Sequence, residues 1–178
     1  ANTRNHFGQL EYIDLYDANL VESSVGVAGY YKGSTSFYMA DNFHLYDVDA
    51  NELPHHAFLR AYNLRTLILP RTCTTVNERA LQECEGLETL VLGDDMTNFN
   101  WNALDDDAML TRMYILANQK VNITTDLAVW RWLCNNYNPT FDAFYVRPSL
   151  YQQYLEDDAY TGSSWQRTNN VSRGDFDD

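Results

Sequence analysis

Apolar residues recur along this chain on a fixed beat. Leu64, Leu87 and Leu110 lie 23 residues apart, and so do Ala57, Ala80 and Ala103. Each of these alanines is followed by a large apolar residue, Phe58, Leu81 or Leu104. Each leucine opens the pattern LxxLxL, as Leu64, Leu67, Leu69, then Leu87, Leu90, Leu92, and in looser form Leu110, Met113, Ile115. Alternation at the last two positions is the period of a strand with one face buried. The same pattern recurs at Leu10, Ile13, Leu15 and at Phe141, Phe144, Val146. Five strands are therefore expected. Their uneven outer spacing requires insertions in the first and last coils, one between residues 16 and 52 and one between 117 and 140.

The segments between strands carry a second pattern. "VNERALQECEG" puts Asn77 near a helix cap, Leu81 and Cys84 three apart on one face, and Gly86 where a left-handed residue is cheap, so a short helical turn is expected. "LPHHAFLRAYN" matches it, with Pro54 at a position where a helix tolerates proline. The Gly-, Ser- and Tyr-containing stretch after Leu15 suits an elaborated loop or hairpin. "TTDLAVWRWLCNNY" reads as a helix capped by Thr125. "RPSLYQQYLEDDAY" reads as a final helix that begins at Pro148 or Ser149 and turns Leu150, Tyr151, Tyr154 and Leu155 inward. A stack of coils cannot leave its last apolar layer open to water, so such a cap is expected.

A period of roughly 20 to 29 residues with LxxLxL falls in the leucine-rich-repeat range. One coil cannot bury its leucines alone, and its neighbours complete the core. The fold class expected is α/β: a leucine-rich-repeat solenoid with a parallel sheet of about five strands, short helical turns between strands and a C-terminal helical cap. Residues 1–178 are read as one domain. Within it, 1–52 form an N-terminal coil with a long insertion, 53–116 the regular 23-residue repeats, 117–140 a helical insertion, and 141–178 the terminal strand, capping helix and tail.

"LRTLILPRTCTTVNERALQECEG" resembles the BspA-like leucine-rich repeats of anaerobic gut and oral bacteria. Pro70 follows the strand, Val76 takes the inward aliphatic site, Ala80 and Leu81 stand for Ala and Phe, and Cys84 for the cysteine. The next repeat departs from the pattern, with Gly93 for the proline, Phe99 for the aliphatic residue and Asp107 for the cysteine. The resemblance implies a secreted or surface-attached protein, often a lipoprotein, with adhesion or binding roles; it does not imply catalysis.

Composition narrows the partners. With 12 basic against 25 acidic residues the net charge is −13, so nucleic acid and anionic membranes are poor partners. No run approaches the roughly 18 apolar residues of a membrane span, and the first ten residues lack a signal peptide's apolar core, so the chain is read as cytosolic or already processed. The 13 tyrosines favour aromatic contact surface over catalysis.

Candidate chemistry is sparse. Cys73, Cys84 and Cys134 form no CxxC or Cys/His cluster and are read as buried single thiols. His6, His44, His55 and His56 are not spaced to share a metal easily, and Asp105, Asp106 and Asp107 lack the calcium-loop pattern. Neither a nucleophile elbow nor a phosphate loop is present, so no enzyme, cofactor or metal is expected. "NIT" at Asn122 and "NVS" at Asn170 match the glycosylation sequon, which carries little information alone.

The positional candidate is stronger. If the leucines of LxxLxL point inward, the residues between them face out. The middle position of the final triplet gives Asp14, Ile68, Val91, Tyr114 and Tyr145, with Thr66, Thr89 and Arg112 in the row before it. Stacked at strand spacing these form an apolar ladder ending in two tyrosines, beside an insertion holding Tyr30 and Tyr31. The expected function is recognition or adhesion at the bacterial surface, binding a protein or glycan through this face. The alternative is an assembly domain that self-associates or docks to other domains of a larger surface protein.

Overall fold

The computed structural model describes residues 10–28, 43–104, 109–124, 141–157, 160 and 171–174. They build an α/β structure with two parallel sheets. The larger consists of β1 (Tyr12–Asp14), β5 (Thr66–Ile68), β7 (Thr89–Leu92), β9 (Arg112–Ile115), β11 (Ala143–Val146) and β12 (Val171–Arg173), side by side in that order. The smaller consists of β4 (Glu52–Leu53), β6 (Thr75–Val76), β8 (Asn98–Asn100) and β10 (Asn122–Thr124). An antiparallel pair, β2 (Ser23–Ala28) with β3 (Phe43–Val48), lies in the long insertion. Tyr30, Tyr31, Asp105 to Asp107, Cys134 and the helix expected from Thr125 lie outside the described residues.

The 23-residue beat is visible as register. Thr66 pairs with Thr89 and Thr89 with Arg112, Leu67 with Leu90 and Leu90 with Met113, Ile68 with Val91 and Val91 with Tyr114. From Leu64 on, the leucine positions are buried: Leu67, Leu90, Met113 and Phe144 form one inward row, and Leu69, Leu92, Ile115 and Val146 are buried beside it, whereas in the first strand Ile13 and Leu15 are half-buried and Leu10, expected inward, is exposed. The smaller sheet turns Leu53, Val76 and Phe99 into the same core from the other side. Both sheets thus bury one side of each coil, and the polar ladder groups are satisfied by the next coil.

The smaller sheet and β12 were not expected. Glu52–Leu53 and Thr75–Val76 are two-residue strands, too short for alternation to reveal. Residues 122–124, assigned in the sequence to a helical insertion, form the last strand of the smaller sheet.

Trp101–Leu104 form a short 3-10 helical turn between strands, but the helical turns expected in the two preceding segments are instead successive β-turns. Ala57 N–H donates to Pro54 O, Ala61 to Phe58 O, Ala80 to Asn77 O and Cys84 to Leu81 O, with His56, Arg60, Arg79 and Glu83 at φ between 59° and 62° in the third positions. The reason lies in the neighbouring coil. Phe58 N–H donates to Ala80 O at 2.8 Å and Leu81 N–H to Ala103 O at 2.9 Å, while Arg60 and Arg79 donate to Gln82 O and Asn102 O. Amides committed across coils cannot close helical rings within their own. The left-handed residues repeat at the same 23-residue interval, and two of them, Arg60 and Glu83, form an ion pair at 3.0 Å. Gly86 serves close approach rather than a left-handed turn, since a Cβ there would stand 2.4 Å from Tyr62 O.

At the C-terminal end, a 3-10 turn at Pro148–Leu150 leads into α1 (Tyr151–Leu155). Tyr154 is fully buried, and Leu150, Tyr151 and Leu155 pack against the core. Tyr154 and Tyr160 hold Val121 from both sides: Val121 N–H donates to the Tyr154 hydroxyl at 2.9 Å, and the Tyr160 hydroxyl donates to Val121 O at 2.8 Å. Burial pushes the Tyr154 phenol up to about 12 and holds Tyr160 well above the ordinary phenol value. Cys73 and Cys84 are buried thiols, and Cys84 donates to Phe58 O at 3.0 Å. Burial pushes the Cys73 thiol up to about 11, which keeps it protonated near neutrality.

Candidate functional site

The register brings all seven proposed face residues onto the larger sheet. Ile68, Val91, Tyr114 and Tyr145 are consecutive partners in one row that Asp14 begins. Thr66, Thr89 and Arg112 are consecutive partners in the preceding row, which starts at the exposed Tyr12 and ends at the buried Ala143. Ile68, Val91, Tyr114 and Tyr145 are half-buried rather than fully exposed. Neighbours at strand spacing cover one another's flanks.

The tyrosines are ordered by this contact. Their ring centroids are 4.9 Å apart and their planes differ by 20°, a separation close to the spacing of the strands that carry them. The Tyr145 hydroxyl donates to the Asp142 carboxylate, which raises the Tyr145 pKa, with burial adding to it. Interaction with Tyr114 raises the Arg112 pKa.

Next to the row, at the C-terminal ends of the strands, lies an open depression of about 570 Å³. Ile68, Val91 and Leu116 are its apolar lining, and Asp14, Tyr16 and Asp17 its polar one. The Tyr16 hydroxyl donates to Asp94 Oδ2 at 2.9 Å, which raises the Tyr16 pKa, and the Arg147 guanidinium stands 3.6 Å from Asp94 Oδ1. Arg147 also donates through Nε to Leu116 O at 2.7 Å. This network ties together the segments that follow β1, β7, β9 and β11.

The sequence reading missed Tyr16, Asp17 and Leu116. The signal available was the position two residues past the outward row, which reads Tyr16, Pro70, Gly93 and Leu116. Two large side chains there flank two residues that project little. Gly93 has no room for more, because a Cβ would lie 2.2 Å from Pro70 O and 2.6 Å from Arg71 Cα.

Among the described residues no group of three or more His, Cys, Asp or Glu could hold a metal ion, and no helix is long and apolar enough to cross a membrane. No family model matches the chain, and no curated protein or solved structure matches it.

Proposed function

We propose that this chain is a BspA-like leucine-rich-repeat solenoid that acts as a noncatalytic recognition module, secreted or at the bacterial surface, binding a protein or glycan through the outer face of the larger sheet. The observation that carries this reading is the in-register row Ile68, Val91, Tyr114 and Tyr145, bordered by a depression of about 570 Å³. Contiguous apolar and aromatic surface bordered by polar groups marks contact sites more often than bare solvent-facing sheet. The 23-residue register and the buried leucine rows support the solenoid reading.

Val91→Glu with Tyr114→Asp tests the site on an array of host-matrix proteins and glycans. The folded double variant is expected to lose the signals of the wild-type chain. Unchanged signals overturn the site. A wild-type dimer in light scattering that the same pair of substitutions dissociates would instead favour self-assembly through this face.

A further inference from the structure

Resting on the recognition reading above, we propose that the depression at the strand ends of the larger sheet receives a lysine or arginine side chain from a protein partner. Its lining is of two kinds. Ile68, Val91 and Leu116 offer aliphatic surface, while Asp14 and Asp17 stand at one side. That combination suits a side chain with an apolar stem and a cationic end, because such chains bury their methylenes and keep the charge at the boundary with water.

The carboxylates are not equivalent. Asp94 is committed to the Tyr16 hydroxyl and Arg147. Among the described residues, by contrast, neither Asp14 nor Asp17 has an ion-pair partner. Asp14 is positioned by the Tyr16 backbone N–H, which donates to Oδ1 at 2.9 Å and leaves the second oxygen available. A net charge of −13 adds attraction for a basic partner at long range.

The neighbouring tyrosines favour a protein over a sugar. Sugars stack on open ring faces, and the mutual stacking of Tyr114 and Tyr145 at 4.9 Å and 20° takes one face of each ring. Ring edges remain for contact, which suits the side chains of an extended peptide. The open volume accommodates one long side chain together with the backbone that carries it.

The test uses the full chain and terminally blocked hexapeptides, alternating Thr and Val, with one central position filled by Lys, Arg, norleucine or Glu. Backbone-amide NMR titration is expected to show saturable shifts at Asp17, Ala18, Val91 and Leu116 with the Lys and Arg peptides. Affinity should be roughly fivefold weaker with norleucine, whose stem matches lysine without the charge, and weaker again with Glu. Asp14→Asn with Asp17→Asn keeps the acceptor oxygen for Tyr16 N–H and should erase the Lys-over-norleucine preference, as should raising salt to about 0.5 M. Equal affinity for the Lys and norleucine peptides overturns the proposal, as does a preference that survives the double Asn variant. Glycan or protein signals that Tyr114→Asp abolishes, without any response to the cationic peptides, would overturn the side-chain assignment and leave the recognition face standing.

Discussion

The two parallel sheets draw their strands from the same 23-residue repeats, yet their outer faces differ. On the smaller sheet the outward row reads Glu52, Thr75, Asn98 and Asn122, in register. Its polar side chains are occupied with their own neighbours: Thr97 donates to Thr74 O at 2.9 Å, Asn98 Nδ2 to Thr97 Oγ1 at 3.0 Å, and Asn77 Nδ2 to Glu52 Oε2 at 3.1 Å. On the larger sheet the outward row is Ile68, Val91, Tyr114 and Tyr145. Water could cover either face, but only the second presents apolar surface that another molecule could desolvate with profit. The difference separates what a coil needs to stack from what it carries for contact.

The largest test asks whether both sheets share one core. Leu90 and Phe99 are each about fully buried, one behind each sheet. Leu90→Ala should cost about 2–5 kcal/mol and Phe99→Ala about 3–5 kcal/mol in urea titration. A loss below about 1 kcal/mol at either position would show that its sheet is not backed by that core.

The next test separates the tyrosines of the face from those of the cap. Tyr154 has a folded-state pKa raised from 10.0 to about 12, so it favours the folded state below pH 10 and that contribution is lost as pH rises from 10 through 12. The loss is on the order of 2–3 kcal/mol, at about 1.4 kcal/mol per pKa unit. Tyr160, also raised by burial, acts in the same direction. Spectroscopic titration should therefore show the Tyr145 phenol ionising reversibly first, and the cap phenols only together with unfolding. A Tyr154→Phe variant that keeps the full alkaline loss would point to another cause.

The smallest test compares the faces directly. Tyr114→Ala removes a stacked aromatic contact and should cost about 0.5–1.5 kcal/mol. Asn98→Ala, at an exposed position on the smaller sheet, should stay within about 0.5 kcal/mol of wild type in thermal melts. Equal losses would erase the distinction between the two faces.

Much of this arrangement was legible in the sequence, for a physical reason. Leu64, Leu67 and Leu69 and their counterparts 23 residues on are buried, and residues paired by register must recur at the repeat length. The outward row followed from strand alternation alone. The turns were misread because Leu81 and Cys84 are both buried, as on one face of a helix. Burial fixes which side chains point inward, whereas the partner of each amide is settled by the neighbouring coil, where Leu81 N–H finds Ala103 O. The depression went unseen because Tyr16 and Leu116 lie outside LxxLxL. Its shape depends on what Pro70 and Gly93 leave empty, and absence of bulk carries no periodic signal.

The constant register offset has a consequence for how such a chain changes length. Because Thr66 meets Thr89 as Thr89 meets Arg112, a tandem duplication of one 23-residue unit would present to each neighbour the edge it already accepts. The cap held by Tyr154 and Tyr160 would move outward unchanged, and the contact face would widen by a single strand. A gene built this way can alter the footprint of its product in discrete steps, by unequal crossing-over, without inventing a new core.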